Sequence, residues 1–243
     1  MRYAILADIH SNLAAFERVL EHAQARGGFD AIWCLGDVVG YGPDPQACID
    51  LLRQHPHLCV AGNHDWAAIG KLSTHDFNPD ARAAALWTGA QLSPQGRAYL
   101  EALPERLEQA DMTLVHGSPR WPIWEYLLTV HDAEDNYKRF AGPCCLVGHS
   151  HVPLAFVKPQ GEETRVNRLP AELPLLGGVR FIVNPGGVGQ PRDGDPRASY
   201  ALYDDGARVF HHFRVPYEVA VTQRRMIEAG LPRRLVERLA HGW

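Results

Sequence analysis

The 243-residue sequence lacks the features that define several large protein classes. No apolar run approaches the ~20 residues that a membrane-spanning helix requires. Asp8 follows the N-terminus too soon for a signal peptide. A Walker-type phosphate-binding loop is also missing, which argues against P-loop nucleotidase chemistry. We therefore expect a cytoplasmic protein with no membrane partner.

The C-x-x-C spacing and a large excess of one charge are absent as well. The five cysteines include no C-x-x-C pair, so we expect reduced thiols in a cytoplasmic protein. With 24 Lys and Arg against 28 Asp and Glu, the formal net charge of −4 gives no strong signal for nucleic-acid binding. Histidine, in contrast, is abundant, since the chain contains 13.

Short apolar runs alternate with amphipathic segments over the first 150 residues. Strands are predicted at residues 3–7, 31–35, 58–61, 112–115 and 144–147. Helices are predicted at residues 12–26, 45–54, 79–92 and 94–103. This alternation is typical of an α/β fold with a largely parallel sheet.

Beyond about residue 152 the pattern changes to strands with few helices between them. The strands are predicted at residues 153–157, 164–169, 179–183, 199–203 and 209–215. They indicate a second, mixed or antiparallel sheet, and two helices at 218–229 and 233–241 follow. No linker divides the chain, so we expect one domain over residues 1–243.

Side chains that can bind metal ions follow all five strands predicted in the first half. The strands lead into Asp8-Ile9-His10, Gly36-Asp37, Gly62-Asn63-His64-Asp65, His116-Gly117 and Gly148-His149-Ser150-His151. Ligands bind at the carboxyl ends of parallel strands, so we expect these side chains to converge. Burying so many polar groups without partners would cost several kcal/mol, and divalent cations are suitable partners.

The donor set predicts the kind of metal site. Carboxylate, imidazole and amide oxygen without thiolate favour Mn, Fe, Zn or Ni over a structural zinc site. The pair Asp8 and His10 and the pair His149 and His151 each have a spacing that lets both side chains face one ion. Seven candidates exceed one tetrahedral site, so we expect two ions. The candidates are Asp8, His10, Asp37, Asn63, His116, His149 and His151.

Taken together and in this order, these segments resemble the motif set of the calcineurin-like metallophosphoesterases. Residues 40–43 and 184–192 are further similar to the small prokaryotic, phosphodiesterase-type members. Gly186-Gly187 stand where such relatives usually carry Gly-Ser, so these two positions offer no serine hydroxyl. The resemblance implies a four-layer α/β/β/α sandwich of two mixed sheets flanked by helices.

The resemblance also implies a role for each ligand. One ion would be held by Asp8, His10 and His151, the other by Asn63, His116 and His149, and Asp37 would bridge the two. Two divalent ions, Mn favoured with Fe, Zn, Ni or Mg as alternatives, would activate a bridging hydroxide. That hydroxide would attack a small phosphodiester, or also a monoester, in line.

A general acid is the remaining part of such a mechanism. His64 would protonate the leaving oxygen, and Asp65 would orient its ring and keep it protonated. The structural alternative for His64 is a histidine of a surface loop.

Four further residues are candidates for substrate contacts, each with a structural alternative. Asn12 contacts substrate or caps the following helix. Tyr41 lines the pocket or braces it. Arg120 pairs with a phosphate or remains a solvated loop residue. Arg192, on the glycine-rich loop, adds positive charge near the site.

An aromatic cluster of Trp121, Trp124 and Tyr126 lies just past His116. Such a cluster could form a wall that stacks on a nucleobase, a hydrophobic lid or a dimer contact. The sequence therefore leaves a homo-oligomer as an alternative to a monomer.

The leading hypothesis is a metal-dependent phosphoesterase for small phosphodiesters. The alternatives are a protein or dinucleoside-polyphosphate phosphatase, and a non-catalytic metal-binding scaffold of the same fold.

Overall fold

The computed structural model describes residues 1–243 and contains two six-stranded sheets. The strands are β1 Arg2–Leu6, β2 Ala31–Cys34, β3 His57–Cys59, β4 Arg106–Gln109, β5 Met112–Val115, β6 Cys144–Leu146, β7 Leu154–Pro159, β8 Arg165–Arg168, β9 Glu172–Pro174, β10 Val179–Asn184, β11 Ala198–Asp204 and β12 Val209–Val215. The helices are α1 Leu13–Ala25, α2 Pro45–Arg53, α3 Asn63–Ile69, α4 Pro79–Gln91, α5 Pro94–Glu101, α6 Val130–Asn136, α7 Val219–Glu228 and α8 Arg233–Arg238.

Both sheets are mixed. The first has the strand order β3-β2-β1-β11-β12-β9, in which β1 pairs in parallel with β2 and β2 with β3, whereas the other neighbours are antiparallel. The second has the order β4-β5-β6-β10-β7-β8, with β5, β6 and β10 parallel. The predicted α/β class with two mixed sheets flanked by helices is confirmed.

Alternating side chains along the strands create the layers. On β1, Ala4 and Leu6 pack against helices α1 and α2, whereas Ile5 faces the other sheet. On β6, Cys144 faces the first sheet and Cys145 packs toward α6. The two sheets therefore share one hydrophobic interface, and helices cover both outer faces.

The C-terminal helices cover one end of this sandwich. Met226 on α7 and Leu235 on α8 share a buried cluster with Ala84 of α4 and with Tyr41. This packing fixes the loop that follows β2. None of the helices is both long and apolar enough to cross a membrane.

The predicted division of strands between the sheets is wrong. Instead of forming one sheet, the first 150 residues supply β1–β3 to the first sheet and β4–β6 to the second. Each sheet is completed by strands from the second half, for example β11 beside β1 and β10 beside β6. Local patterns predict strands but not their long-range partners.

Four short elements are not predicted from the sequence: β4, β9, α3 and α6. The strands β4 and β9 are polar edge strands that lack a buried apolar run. Helix α3 begins at Asn63, where a loop is expected, because the Asp65 carboxylate accepts a hydrogen bond from the Gly62 amide.

Candidate metal centre and substrate cleft

The loops after β1, β2, β3, β5 and β6 meet at one edge of the sandwich. The loops of the two sheets are joined directly, because the His149 amide donates to Asp8 Oδ1 at 3.2 Å. Within the second sheet, the His116 carbonyl after β5 accepts from the Gly148 amide after β6 at 2.8 Å. All seven predicted ligands lie in this region, and all are buried.

Five of these ligands adopt left-handed backbone conformations. Their φ angles are 54° for Asp8, 49° for His10, 53° for Asp37, 65° for His149 and 58° for His151. Such conformations cost about 1–3 kcal/mol for a residue with a side chain. They persist where the surrounding structure fixes them, and they concentrate at functional sites.

Asp8, His10 and His151 form a first ligand set. His10 Nε2 lies 3.1 Å from His151 Nε2, and His151 Nε2 lies 3.4 Å from Asp8 Oδ1. His10 Nε2 is 4.0 Å from the same carboxylate oxygen. One potential ligand atom from each residue is therefore within reach of a single ion.

A second ligand set contains Asp37, His116 and His149, with Asn63 beside it. His116 Nε2 lies 3.1 Å from His149 Nδ1 and 3.1 Å from Asn63 Oδ1. The same nitrogen is 3.3 Å from Asp37 Oδ2. The amide oxygen of Asn63 thus adds a fourth donor.

Asp37 lies between the two sets. Its Oδ2 atom is 3.5 Å from His10 Nε2 and 3.3 Å from His116 Nε2. Its other oxygen, Oδ1, accepts a hydrogen bond from the His64 amide at 2.9 Å, which fixes the carboxylate plane. One oxygen of Asp37 can therefore face both sets at once.

Each of the four histidines points one ring nitrogen at a backbone carbonyl and the other into its set. The carbonyl pairs are His10 with Val39 at 3.1 Å, His116 with Leu35 at 2.8 Å, His149 with Trp124 at 3.1 Å and His151 with Gln190 at 2.5 Å. A carbonyl oxygen only accepts hydrogen bonds, so the nitrogen facing it carries the proton. In a neutral ring the inward nitrogen then presents a lone pair, the form that binds a metal ion.

The burial of the two sets shifts several pKa values. Burial lowers the pKa of His10, His149 and His151 well below the ordinary value, so these rings are neutral. Burial also opposes protonation of His116, but the Asp37 carboxylate outweighs it and raises the His116 pKa to about 9. Burial raises the pKa of Asp8 to about 7. Without a cation, protons therefore supply positive charge inside the sets.

The residues present fit a pair of divalent cations. Asp8 Oδ2 and Asp37 Oδ2 are buried and have no hydrogen-bond partner. An unpaired polar atom of this kind costs several kcal/mol, and a cation beside it removes that cost. The inward ring nitrogens and carboxylate oxygens, without thiolate, are donors for Mn, Fe, Zn or Ni.

His64 lines the cleft above the two sets. Neither ring nitrogen has a hydrogen-bond partner, and the Nδ1 atom is buried. The ring packs against Tyr41 at a centroid distance of 4.2 Å and Phe77 at 4.9 Å. Burial lowers the pKa of His64 to about 4. His64 is thus a cleft residue and not an exposed loop residue.

The predicted contact between Asp65 and the His64 ring is wrong. Asp65 Oδ2 accepts hydrogen bonds from the amides of Asp37 at 2.8 Å and Gly62 at 3.0 Å. Asp65 Oδ1 accepts from the Val39 amide at 3.0 Å. The carboxylate therefore holds the Asp37 loop to the start of α3, and it does not keep the imidazole protonated.

Asn12 is a structural residue, so the predicted substrate contact is wrong. Its Oδ1 atom accepts from the Ala15 amide at 3.2 Å and from Thr222 Oγ1 at 2.8 Å. Its Nδ2 atom donates to the Gly189 carbonyl at 2.8 Å and to Tyr217 Oη at 3.1 Å. The amide caps α1, as the alternative predicted, and ties that helix to the C-terminal segment.

Arg120 does not contact the cleft either, so its predicted phosphate contact is wrong. Its guanidinium group forms ion pairs with Glu125 and, at 3.0 Å, with Asp135. Glu125 also accepts hydrogen bonds from Ser118 and, at 2.9 Å, from Asn136. This group, which we call the Glu125 network, holds the loop after β5 in place.

Tyr41 and Arg192 line the cleft, and their substrate contacts stay a prediction. The Arg192 guanidinium lies over the Tyr41 ring at 5.7 Å and donates to Gln190 Oε1 at 3.0 Å. Its Nε atom is buried without a partner. Since the Gln190 carbonyl binds His151, the same segment positions both a ligand and the guanidinium group.

The rest of the cleft wall is aromatic. Trp124 and Tyr126 line it, whereas Trp121 of the same predicted cluster lies outside and packs on Arg120. Phe77 completes the wall and was not predicted, because residues 70–78 carry no periodic pattern. The cleft encloses about 110 Å³, room for a phosphoryl group with the remainder of a ligand outside.

Two mixed sheets thus carry, at their common edge, paired carboxylate and histidine groups that could hold metal ions. The calcineurin-like phosphoesterase superfamily domain matches residues 1–206. The chain therefore belongs to the calcineurin-like phosphoesterase superfamily, whose members hydrolyse phosphoester bonds.

Individual proteins show similarity over all or part of the chain. A metallophosphoesterase structure from Sphaerobacter thermophilus is 48% identical, with a TM-score of 0.89, covering 100% of this chain and 99% of its own. The uncharacterized protein MJ0912 of Methanocaldococcus jannaschii is 36% identical over 245 residues, 98% of this chain and 97% of that protein. The symmetrical bis(5'-nucleosyl)-tetraphosphatase of Chromobacterium violaceum is 28% identical over 158 residues, 58% of this chain and 53% of that enzyme.

Proposed function

We propose that this chain is a binuclear metal-dependent phosphodiesterase, formed by one domain over residues 1–243, that also accepts monoesters. The position of Asp37 carries the proposal, because its Oδ2 atom lies 3.5 Å from His10 of one ligand set and 3.3 Å from His116 of the other. A carboxylate in that place offsets charge on two cations. The open cleft above it gives a phosphoester access.

The two ligand sets would hold one divalent cation each, with Mn favoured. Bound cations of this kind lower the pKa of a water molecule and withdraw charge from phosphoryl oxygens. Asp8, His10 and His151 would hold the first, and Asn63, His116 and His149 would hold the second. Asp37 would contact both.

Arg192 would bind the anionic phosphoryl group. Its Nε atom is buried without a partner beside the cleft, and its guanidinium group is held over Tyr41. An anion that accepts hydrogen bonds from this group would remove the cost of the unpaired nitrogen. Arg192 would therefore orient the substrate.

His64 would donate a proton to the leaving oxygen. Its backbone amide holds Asp37 Oδ1, so the ring has a fixed position relative to both ligand sets. The low pKa of the ring, about 4, reflects burial. A phosphoryl anion in the cleft favours the charged imidazolium, which raises that pKa when substrate is bound. Asp65 would act only by fixing the Asp37 loop.

A cytoplasmic location is part of the proposal. All five are buried free thiols, which supports the expected reducing environment of the cytoplasm.

The experiment is hydrolysis by protein stripped with a chelator. Bis(4-nitrophenyl) phosphate and 4-nitrophenyl phosphate are supplied with and without added Mn²⁺. We expect Mn²⁺ to restore turnover, with higher kcat/KM for the diester. No turnover with Mn, Fe, Zn, Ni or Mg, while two ions still bind, would contradict the proposal and favour a scaffold.

A dinucleoside-polyphosphate phosphatase is the second candidate. The partial similarity to the Chromobacterium violaceum enzyme and the aromatic cleft wall favour it. Hydrolysis of a dinucleoside tetraphosphate in the same assay distinguishes the two.

A further inference from the structure

One wall of the cleft consists of aromatic rings that reach from His64 to the second ligand set. Phe77 lies 4.9 Å from the His64 ring and contacts Trp124 edge to face at 5.5 Å. Tyr126 stacks on His149 at 4.0 Å. Trp124 and Tyr126 are 39% and 47% exposed, so their free surfaces face the cleft and solvent. We call Phe77, Trp124 and Tyr126 the aromatic wall.

The rim beside this wall is polar. Asp76 and Asn78 flank Phe77, and both line the cleft. Asn78 Oδ1 accepts from the Ala81 amide at 3.0 Å, which leaves the Nδ2 donor free. The exposed Asp76 carboxylate is an acceptor. Aromatic faces next to a donor and an acceptor suit a planar heterocycle better than an alkyl chain.

The charge of the cleft limits the number of phosphates. Arg192 is the one arginine or lysine among the thirteen lining residues, and Asp76 adds a negative charge at the rim. A polyphosphate chain carries several negative charges, and its binding sites are rich in Arg and Lys. A single phosphoryl group matches one guanidinium group and the two ligand sets.

We infer that the aromatic wall binds the base of a nucleoside and that the substrate class is a phosphodiester with one phosphate and one nucleoside. The inference rests on the proposed function. Because the wall begins at His64, the nucleoside occupies the side of the leaving group. Hydrolysis breaks the P–O bond to the nucleoside and forms a P–O bond from water. The leaving oxygen takes a proton from His64, one proton of water restores the protonated His64, and the other proton of water is released to solvent.

The test compares adenosine 5'-(methyl phosphate) with tetrahydrofurfuryl methyl phosphate, which has the same ester but no base. Products are separated by chromatography after reaction with the Mn²⁺-loaded protein. We expect at least about tenfold higher kcat/KM for the nucleotide ester, the effect of one stacked base. Adenosine and methyl phosphate are the expected products. A ratio near one would overturn the inference.

Two nearby tryptophans, Trp124 in the cleft and Trp121 outside it, provide a test variant and a matched control. Trp124→Ala should remove the difference between the two esters, and Trp124→Phe should restore most of it. Trp121→Ala should keep it, because Trp121 is 62% exposed, packs on Arg120 at 4.8 Å and lies outside the cleft. The Trp124 carbonyl that binds His149 belongs to the main chain and is retained in each variant. Equal losses in Trp124→Ala and Trp121→Ala would overturn the inference.

Two further measurements separate the possible failures. The affinity of adenosine 5'-(methyl phosphate) for protein stripped of metal, measured by calorimetry, should fall about tenfold in Trp124→Ala and stay unchanged in Trp121→Ala. Higher kcat/KM for diadenosine tetraphosphate than for the nucleotide ester would overturn the assignment of a single phosphate. If bis(4-nitrophenyl) phosphate is also not hydrolysed, the proposed function itself fails.

Discussion

The ring of Tyr126 stacks on the imidazole of His149, with centroids 4.0 Å apart and 22° between the planes. The loop that carries Tyr126 also supplies the Trp124 carbonyl that accepts from His149 Nε2 at 3.1 Å. One loop after β5 thus holds a candidate metal ligand on two sides and forms part of the cleft wall.

The Glu125 network should therefore affect metal binding, although none of its side chains faces the ligand sets. Glu125→Ala removes the acceptor for Arg120, Ser118 and Asn136, which frees the backbone on both sides of residue 125. We expect Mn²⁺ to bind about tenfold more weakly at one site, as is usual when a partner of a metal-binding histidine is disturbed. Calorimetric titration with Mn²⁺ measures this affinity.

Glu134→Ala is the matched control. Glu134 also accepts from two side chains, Lys158 and Thr164, but it lies on α6 outside the cleft. Unchanged Mn²⁺ affinity in Glu125→Ala, together with a loss of thermal stability like that of Glu134→Ala, would show that the network only stabilises the loop.

Asp37→Ala should abolish metal retention and activity together. The substitution removes the single oxygen that faces both ligand sets. Elemental analysis after gel filtration, combined with the diester assay, checks both properties. Asp111→Ala, which breaks an exposed pair with Arg208, should retain both. Full metal content in Asp37→Ala would show that Asp37 is not a shared ligand.

Mn²⁺ binding should release protons. At pH 7 and without metal, His116 is protonated, because its pKa is raised to about 9. Asp8 is partly protonated, because its pKa is raised to about 7. A cation displaces these protons, so metal affinity should fall as the pH drops from 9 toward 6. Calorimetry at pH 7 in two buffers with different ionisation heats should give about one to two protons per chain. Identical heats in both buffers would rule out this exchange.

His64→Ala should leave metal bound but slow turnover, most for poor leaving groups. The ring has no role in the ligand sets, and the backbone amide that holds Asp37 remains. General acid catalysis contributes about 10²–10⁴-fold, and a nitrophenolate needs it least. A series of aryl and alkyl methyl phosphates gives the dependence on leaving-group pKa. If the alkyl esters reacted at the parent rate, His64 would not be the acid.

Gly62→Ala should disturb the metal centre through steric contact alone. A Cβ atom at Gly62 would lie 2.0 Å from Asp37 Oδ1 and 2.4 Å from the Asp37 amide nitrogen. We expect a loss of about 1–3 kcal/mol in stability and weaker Mn²⁺ binding. Gly177→Ala, where a Cβ meets no atom within 4 Å, is the control. Thermal unfolding and Mn²⁺ titration check both variants, and equal Mn²⁺ affinity in the two would contradict the steric account.

Clustering of the ligands could be predicted from the sequence because every one of them follows a buried strand. Asp37 follows β2 and His116 follows β5, strands of different sheets, yet both strand ends lie at the same edge of the sandwich. The wrong assignment of strands to sheets therefore did not disturb the prediction that the ligands converge.

Side-chain partners could not be predicted, since they depend on residues distant in sequence. Asn12 is bound by Thr222, 210 residues away. Asp65 stands beside His64 in the sequence, but its oxygens face the Asp37 loop. Phe77 reaches the cleft from the segment before α4, where neither periodicity nor a motif marks it.

The central claim is tested most directly by counting the Mn²⁺ ions that restore hydrolysis to protein stripped of metal. Mn²⁺ is added in steps, and bound metal and hydrolysis of bis(4-nitrophenyl) phosphate are measured on the same samples. We predict two ions per chain at full activity, with hydrolysis following occupancy of both ligand sets. Full activity with one bound ion, or hydrolysis that persists without metal, would contradict the assignment of a two-metal phosphodiesterase.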